Sequence, residues 1–370
     1  MCLSAGPMGL TPAEVRHAYG FDQLAFTDWK NDVFEADGSG QTIAIVDAYR
    51  APTVVNDFKV FSDTFGLPTT DAYGRFALTT VALGKPPVDA GWAFEQALDV
   101  EWAHAIAPRA HILLVQARSA EPEDLLDAID YARKQRGVVA VSMSWGGDET
   151  PFDKLRDKYL TTPKRHIGGS GLRGGVTFVA ASGDSGAPAA WPAVSPNVVA
   201  VGGSSLTLDA NGNWAGEVGW EGSGGGISVY QSVATHSPDV AYNADPAMGY
   251  PVFSSSIGWQ TVGGTSAAAP QWAALIALAN QARNLKGLGS LTTQQTLQGI
   301  YSAPATDFHD ITSGNNGFQA GPGYDLVTGL GTPVAQSLVP DLAAPSASAV
   351  AAQVAAHGGR SLRAVGRTFW

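Results

Sequence analysis

Five short, almost wholly apolar runs recur in the first 204 residues of the chain: QTIAIVDA (41–48), HILLVQAR (111–118), VVAVSMSWG (138–146), GVTFVAASG (175–183) and VVAVGGS (198–204). A strand that is apolar on both faces must be covered on both, which is the condition of a parallel sheet flanked by helices. The segments between them supply the covers. WAFEQALDVEWAHAIA (92–107) and EPEDLLDAIDYARKQR (121–136) carry helical periodicity, and the second opens with acids and closes with bases, as the helix dipole favours. Repeated βαβ units with right-handed crossovers predict a doubly wound α/β fold, with helices on both faces of a mostly parallel sheet and a site at the carboxyl ends of the strands. Residues 204–262 are polar and Gly-rich, as in GNWAGEVGWEGSGGGIS, and read as loops and short strands around that site. From about residue 340 the text turns to Ala, Ser and Pro. The expected division is one catalytic unit over 1–335 and a peripheral tail over 336–370.

Composition narrows the partners. A net charge of −11 and a pI near 5.0, with no dense Lys/Arg run, argue against nucleic acid. No apolar stretch is long enough to cross a membrane. Cys2 is the sole cysteine, so no intramolecular disulfide can form. The first 21 residues lack a basic segment followed by an apolar one, so no signal peptide is read there.

GGTSAAAP (263–270) sets one hydroxyl, Ser266, among residues with almost no side chain, and Pro270 suits the first turn of a helix over QWAALIALANQA. Ser266 is then either an ordinary N-cap or a nucleophile at a helix end whose free N–H groups suit an oxyanion. A nucleophile needs a base. Asp47, His104 and Ser266 stand in the chain order of a subtilisin-like triad. Glu95 and Asp99 offer another base: four residues apart on one helix, about 6 Å of rise, they share a face, where close carboxylates can share a proton. They are otherwise two solvated acids. Asp184 in AASGDSGAP follows a strand at a Gly-flanked turn, where an apolar sheet end would keep its carboxyl protonated and able to donate to an oxyanion; the plain alternative is an Asp-Ser-Gly turn. HDITSGNN and AGPGYD supply Asp310 and Asp325 with bare glycine carbonyls between them, hard oxygen ligands suited to Ca²⁺ or simply a pair of Gly-Asp turns.

Taken in order, LTPAEVRHAYGF, SMSWGG, AASGDSG, WPAVSPNVVAVGGS, WEGSGGGIS, GGTSAAAP, HDITSGNN and AGPGYDLVTGLGTP resemble the sedolisins, the serine-carboxyl peptidases, over nearly everything up to about residue 335. The resemblance implies a subtilisin-like fold and an acid-active endopeptidase in which Ser266 is the nucleophile, Glu95 its general base, Asp99 the acid that orients and buffers Glu95, and Asp184 the oxyanion aspartate. It implies that substrate lies along Ser144, Trp145 and Gly146. It implies one structural Ca²⁺, within about 307–328, held by Asp310, Asp325 and the carbonyls of Ile311, Gly321 and Gly323. A peptide or protein substrate, a monomeric state and secretion are implied as well. The family is made with a long N-terminal prosegment, which is not part of these 370 residues and is expected only as a partner. One departure stands out: Asp47 occupies a position where kumamolisin-like members carry glutamate. The competing expectations are a subtilisin-like Asp47/His104/Ser266 protease active near neutrality, and a catalytically silent Ca²⁺-stabilised binding protein.

Overall fold

The computed structural model describes residues 6–231 and 235–345; Cys2 and the expected tail beyond residue 345 lie outside the described residues. All five apolar runs lie in one eight-stranded sheet. Its strands are β1 (Thr42–Ala48), β2 (Leu78–Ala82), β3 (His111–Ala117), β4 (Val138–Met143), β5 (Thr177–Ala181), β6 (Val199–Leu208), β7 (Trp214–Gly219) and β8 (Val240–Asn243). The spatial order is β7-β6-β5-β4-β1-β3-β2, with β8 also paired to β6, and β7 alone runs antiparallel to its neighbour. The chain therefore starts in the middle at β1, crosses to the edge at β2, returns to β3 beside β1, and from β4 onward builds the other half of the sheet. The switch point falls at the carboxyl end of β1, where doubly wound sheets place their sites.

Both faces of the sheet are covered, as its apolar strands require. Helix α4 (Pro122–Ala132) buries Leu125, Leu126 and Ile129 with Ala44, Val46, Leu113 and Val115 on one face. The opposite face, Ile43, Ile45, Ile112 and Leu114 among others, shares a core with α2 (Val54–Phe65), α3 (Ala90–Ile106) and α6 (Thr265–Leu285). Helix α1 (Pro12–Ala18) adds Val15 and Ala18 to that second core, and the one-turn helix α5 (Asp153–Arg156) follows β4 in the chain. Helix α6 is buried from Ala267 to Arg283, and a helix that is enclosed all round has to be apolar all round, as its Ala- and Leu-rich text is.

Two expectations are corrected. The 204–262 region is more than loops around a site: it completes β6, adds β7 and β8 to the sheet, and forms a hairpin, β9 (Tyr250–Ser254) with β10 (Gly258–Val262). That hairpin packs on α3, where the Trp102 indole N–H donates to the Pro251 carbonyl at 3.0 Å. Strands of four to six residues, partly polar where they are half-exposed, leave too short a period to read. The tail also begins later than residue 336. After α7 (Thr293–Ser302), α8 (Ala335–Ala343) buries Leu338, Val339 and Leu342 in the core with α6, because its small alanines let those three branched side chains reach it.

Leu338 is fully buried, so Leu338→Ala should lower the free energy of unfolding by about 3 kcal/mol in denaturant titration. A loss below about 1 kcal/mol would return α8 to the tail.

Candidate active site

Ser266 lies at the second position of α6, whose first residue is Thr265. The helix begins earlier than Pro270 suggests, so Pro270 falls in the second turn rather than the first. The local logic differs accordingly. Proline at 270 removes the N–H that would bond the Ser266 carbonyl four residues back. That carbonyl instead accepts from the Ser144 hydroxyl at 3.2 Å, which ties the segment following β4 to the start of α6. Gly264 caps the helix at φ 112°, and a Cβ there would stand 2.7 Å from Asp184 Oδ2. Only glycine lets the carboxyl come so close. Asp184 Oδ1 accepts from the Thr265 N–H at 2.7 Å and its hydroxyl at 2.8 Å, while Thr265 Oγ1 accepts from Gly183 N–H at 3.1 Å. Asp184 is exposed in the cleft, however, and is not enclosed by an apolar sheet end as its position after β5 suggests.

The two acids of α3 do share a face, and it is the inner one. The helix starts at the N-cap Asp89; Glu95 is half-buried and Asp99 fully so, beside Asp47 at the carboxyl end of β1. Burial is the main force on all three. It pushes Glu95 up to about 7, with the Ser266 hydroxyl pulling it down and Asp184 pushing it further up. Burial, then Asp47 and Glu95, hold Asp99 well above the carboxylate range; the nearby Ser144 hydroxyl offsets this only in part, since it donates to the Ser266 carbonyl. Burial and Glu95 do the same to Asp47. None of the four oxygens of Asp47 and Asp99 has a hydrogen-bond partner among the described residues, so the shorter side chain at 47 leaves the link between β1 and α3 unclosed.

The structure does not assemble the rival triad. His104 is nine residues beyond Glu95, half a turn round α3 at 100° per residue, and so points away from Ser266. It is fully buried with its ring 4.5 Å from that of Phe58, and burial lowers its pKa to about 3. An imidazole so placed is a neutral core residue.

Ser144, Trp145 and Gly146 leave the end of β4 and separate two cavities that meet at Ser266. One, of about 330 Å³, is walled by residues 181–190 and contains Asp184. The other, of about 450 Å³, opens between Asp89, Trp92 and Glu95. The Trp145 indole N–H donates to the Val46 carbonyl at 2.8 Å, which anchors that edge to β1. A cavity of about 440 Å³ near Tyr73, Arg75 and His111 holds none of these groups. Sequence reasoning missed Thr265, Asp89 and Trp92. Thr265 adjoins the serine, and Trp92 precedes Glu95 by three residues and so shares its helix face, a signal that was there to use.

Asp310 and Asp325 fold onto one loop. Both oxygens of Asp310 accept from the Gly323 N–H, at 3.1 and 3.0 Å, and Asp325 Oδ2 accepts from the Gly321 N–H at 3.0 Å. The carbonyls of Ile311, Gly321 and Gly323 accept no hydrogen bond among the described residues. Two carboxylates and three uncommitted carbonyls form a donor set of hard oxygens that fits Ca²⁺. No third His, Cys, Asp or Glu groups with them among the described residues.

With this geometry established, comparison with known proteins is direct. A sequence profile of the subtilase family matches residues 80–323. The chain belongs to the subtilase family. This subtilase is 34% identical to kumamolisin of Bacillus sp. (strain MN-32) over 394 aligned residues, covering 93% of the chain and 65% of kumamolisin. It is 32% identical to sedolisin of Pseudomonas sp. (strain 101), over 53% of the chain and 39% of sedolisin. It therefore spans less than two thirds of the length of these relatives. Its fold matches Pseudomonas sedolisin, a serine-carboxyl proteinase solved with two molecules of pseudo-iodotyrostatin, at a TM-score of 0.74 and 24% identity, over 91% of this chain and 98% of that one. The resemblance and the subtilisin-like fold read from the motifs are borne out. Among the described residues no helix is long and apolar enough to cross a membrane.

The buried acids give this subtilase a pH signature. A carboxyl whose folded pKa lies above its unfolded value binds more protons in the native state. Its stability contribution is therefore intact below the unfolded pKa and lost as pH rises through the folded one, at about 1.4 kcal/mol per pH unit per proton. For Glu95 the window opens at the ordinary 4.5 and closes near 7; Asp47 and Asp99 are raised in the same sense. The melting temperature of the Ser266→Ala chain, used to prevent autolysis, should fall as pH rises across that window, and Asp47→Asn should flatten the fall. A melting temperature that climbs from acid to neutrality would contradict the buried cluster.

Proposed function

We propose that the chain is an endopeptidase of the serine-carboxyl type, acting on peptides or proteins in acid. The observation that carries this reading is the convergence, in one open cleft, of Ser266 at the start of α6, Glu95 facing it from α3, and Asp184 bonded to the same helix end. In this reading the Ser266 oxygen attacks the carbonyl carbon of the scissile bond while Glu95 takes its proton. The oxyanion forms beside the N-terminus of α6, where the Ser266 N–H, unlike those of Thr265 and Ala267, has no acceptor among the described residues, and where Asp184 donates when it carries a proton. Collapse expels the amine, which takes the proton from Glu95. Water then attacks the acyl-serine through the same base, and Ser266 is regenerated. Asp99 and Asp47 act through Glu95: raised by burial, they hold protons, so that negative charge in the cluster settles on Glu95. Ser144, Trp145 and Gly146 provide the edge along which the peptide lies.

Glu95 must be ionised while Asp184 carries a proton, so the rate passes through a maximum between the loss of one condition and the loss of the other, with limits that belong to the coupled acids. We place that maximum below neutrality on the resemblance to the serine-carboxyl peptidases; with Glu95 raised to about 7 in the free chain, only a minor ionised fraction of it acts there. Ser266→Ala should abolish hydrolysis of a quenched fluorescent peptide with the melting curve unchanged, and Glu95→Gln should lower kcat at least 100-fold at every pH. Asp184→Asn keeps a donor that cannot ionise, so it should retain partial activity and extend the profile to higher pH. His104→Leu should stay active. If His104→Leu is dead and Glu95→Gln is not, the carboxylate mechanism is wrong.

We further propose one structural Ca²⁺ at Asp310, Asp325 and the carbonyls of Ile311, Gly321 and Gly323, where the ion would tie together the two ends of the 310–325 loop between α7 and α8. A ligand that binds only the native state raises stability by mass action. Chelation should lower the melting temperature, and Asp325→Ala should reproduce the loss without chelator. An unchanged melting curve, with metal shown to be absent by elemental analysis, would remove the site.

A further inference from the structure

The cavity on the Glu95 side of the cleft carries chemistry that bond cleavage does not use. Asp89 stands at its rim, exposed, with Oδ1 accepting the Trp92 N–H at 3.0 Å as the cap of α3. Its second oxygen takes no hydrogen bond or salt bridge among the described residues, although Arg50 bridges the neighbouring Val88 through its backbone. Two indoles line the same cavity as this carboxylate. Trp92 is half-buried, with its ring 6.3 Å from Tyr49 in an edge arrangement, and Trp145 is fixed by its bond to Val46 and lies 6.2 Å from Trp191. Both aromatic walls are therefore held in place before any ligand arrives. No lysine or arginine lines either cavity that meets at Ser266.

An aromatic face attracts a cation, and a carboxylate with a free oxygen pairs with one. An apolar side chain would use the indoles but leave Asp89 without a partner, and an acidic side chain would be repelled by Asp89. We propose that this cavity is a subsite for a cationic side chain, lysine or arginine, of the peptide substrate. The inference rests on the peptidase reading. Successive side chains of an extended peptide point to opposite sides, so a chain lying along Ser144–Gly146 with the residue before the scissile bond in the cavity walled by 181–190 places its neighbour on the amino side between Trp92 and Asp89.

Two measurements test it. In a digest of a peptide library by the active chain, read by mass spectrometry, lysine and arginine should be enriched about 5-fold over norleucine at the second residue on the amino side of the cut. Asp89→Asn, which retains a helix cap of equal quality, should bring that ratio close to one, and Trp92→Leu, which keeps apolar bulk without a ring face, should reduce it. Calorimetry on the uncleaving Ser266→Ala chain supplies the second readout. A blocked peptide with lysine at that position should bind about 5-fold more tightly than its norleucine twin, and Asp89→Asn in the same background should equalise the two. Absence of any cleavage by the active chain would sink the peptidase reading alone, since binding still decides the subsite. Equal affinities, failure of both peptides to bind, or a cation preference that survives both substitutions overturns the subsite.

Discussion

The complete burial of α6 is the constraint on which the rest of this molecule depends. Its side chains from Ala267 to Arg283 are enclosed by the sheet, by α3 and by α8, and each large one, Trp272, Leu275, Ile276 or Leu278, contributes about 1.5–3 kcal/mol by leaving water. A close-packed interior leaves a helix so enclosed almost no freedom to slide or rotate. The start of the helix is thereby pinned at the carboxyl ends of β4 and β5, where Ser266 meets the Ser144 hydroxyl and Thr265 meets Asp184. The position of Ser266 is thus inherited from the core; the few hydrogen bonds around it only refine its direction.

The same packing produces the electrostatics. Helix α3 lies against α6, so the face of α3 that carries Glu95 and Asp99 is turned into the protein, and Asp47 meets it from β1. No basic side chain pairs with these acids among the described residues. Desolvation therefore wins over compensation, and the acids are held protonated to higher pH than they would be in water. The pattern extends beyond the cleft. Burial also raises Glu101, Glu217 and, to about 6, Asp239. A protein with so many enclosed acids is built to be most stable where those acids carry protons.

Several features were readable because a local cause suffices for them. Five apolar runs declared their strands, since a strand covered on both faces has no polar positions to hide the pattern, and the long helices α3 and α4 carried their own period and end charges. The glycines before Ser266 announced a close approach, and the approaching group is the Asp184 carboxyl that a side chain at 264 would displace. Other features had no such cause. Strands β7 and β8 are too short for a period, and Pro270 suggested a later helix start than the one that packing of α6 enforces.

What the sequence by itself determined is the central strands, the long helices and the chemical inventory: a doubly wound α/β chain carrying a serine in a glycine turn and acids at helical spacing. What only the tertiary structure decided is which acids share the cleft. Spacing along α3 made Glu95 and Asp99 neighbours, but it could not say whether their face met water or the core, nor that His104, half a turn away, would be sealed against Phe58. The physical reason is that a side chain's environment is set by what packs against its helix, and here those partners, Asp47 on β1 and Ser266 on α6, lie about fifty and one hundred and seventy residues away in the chain.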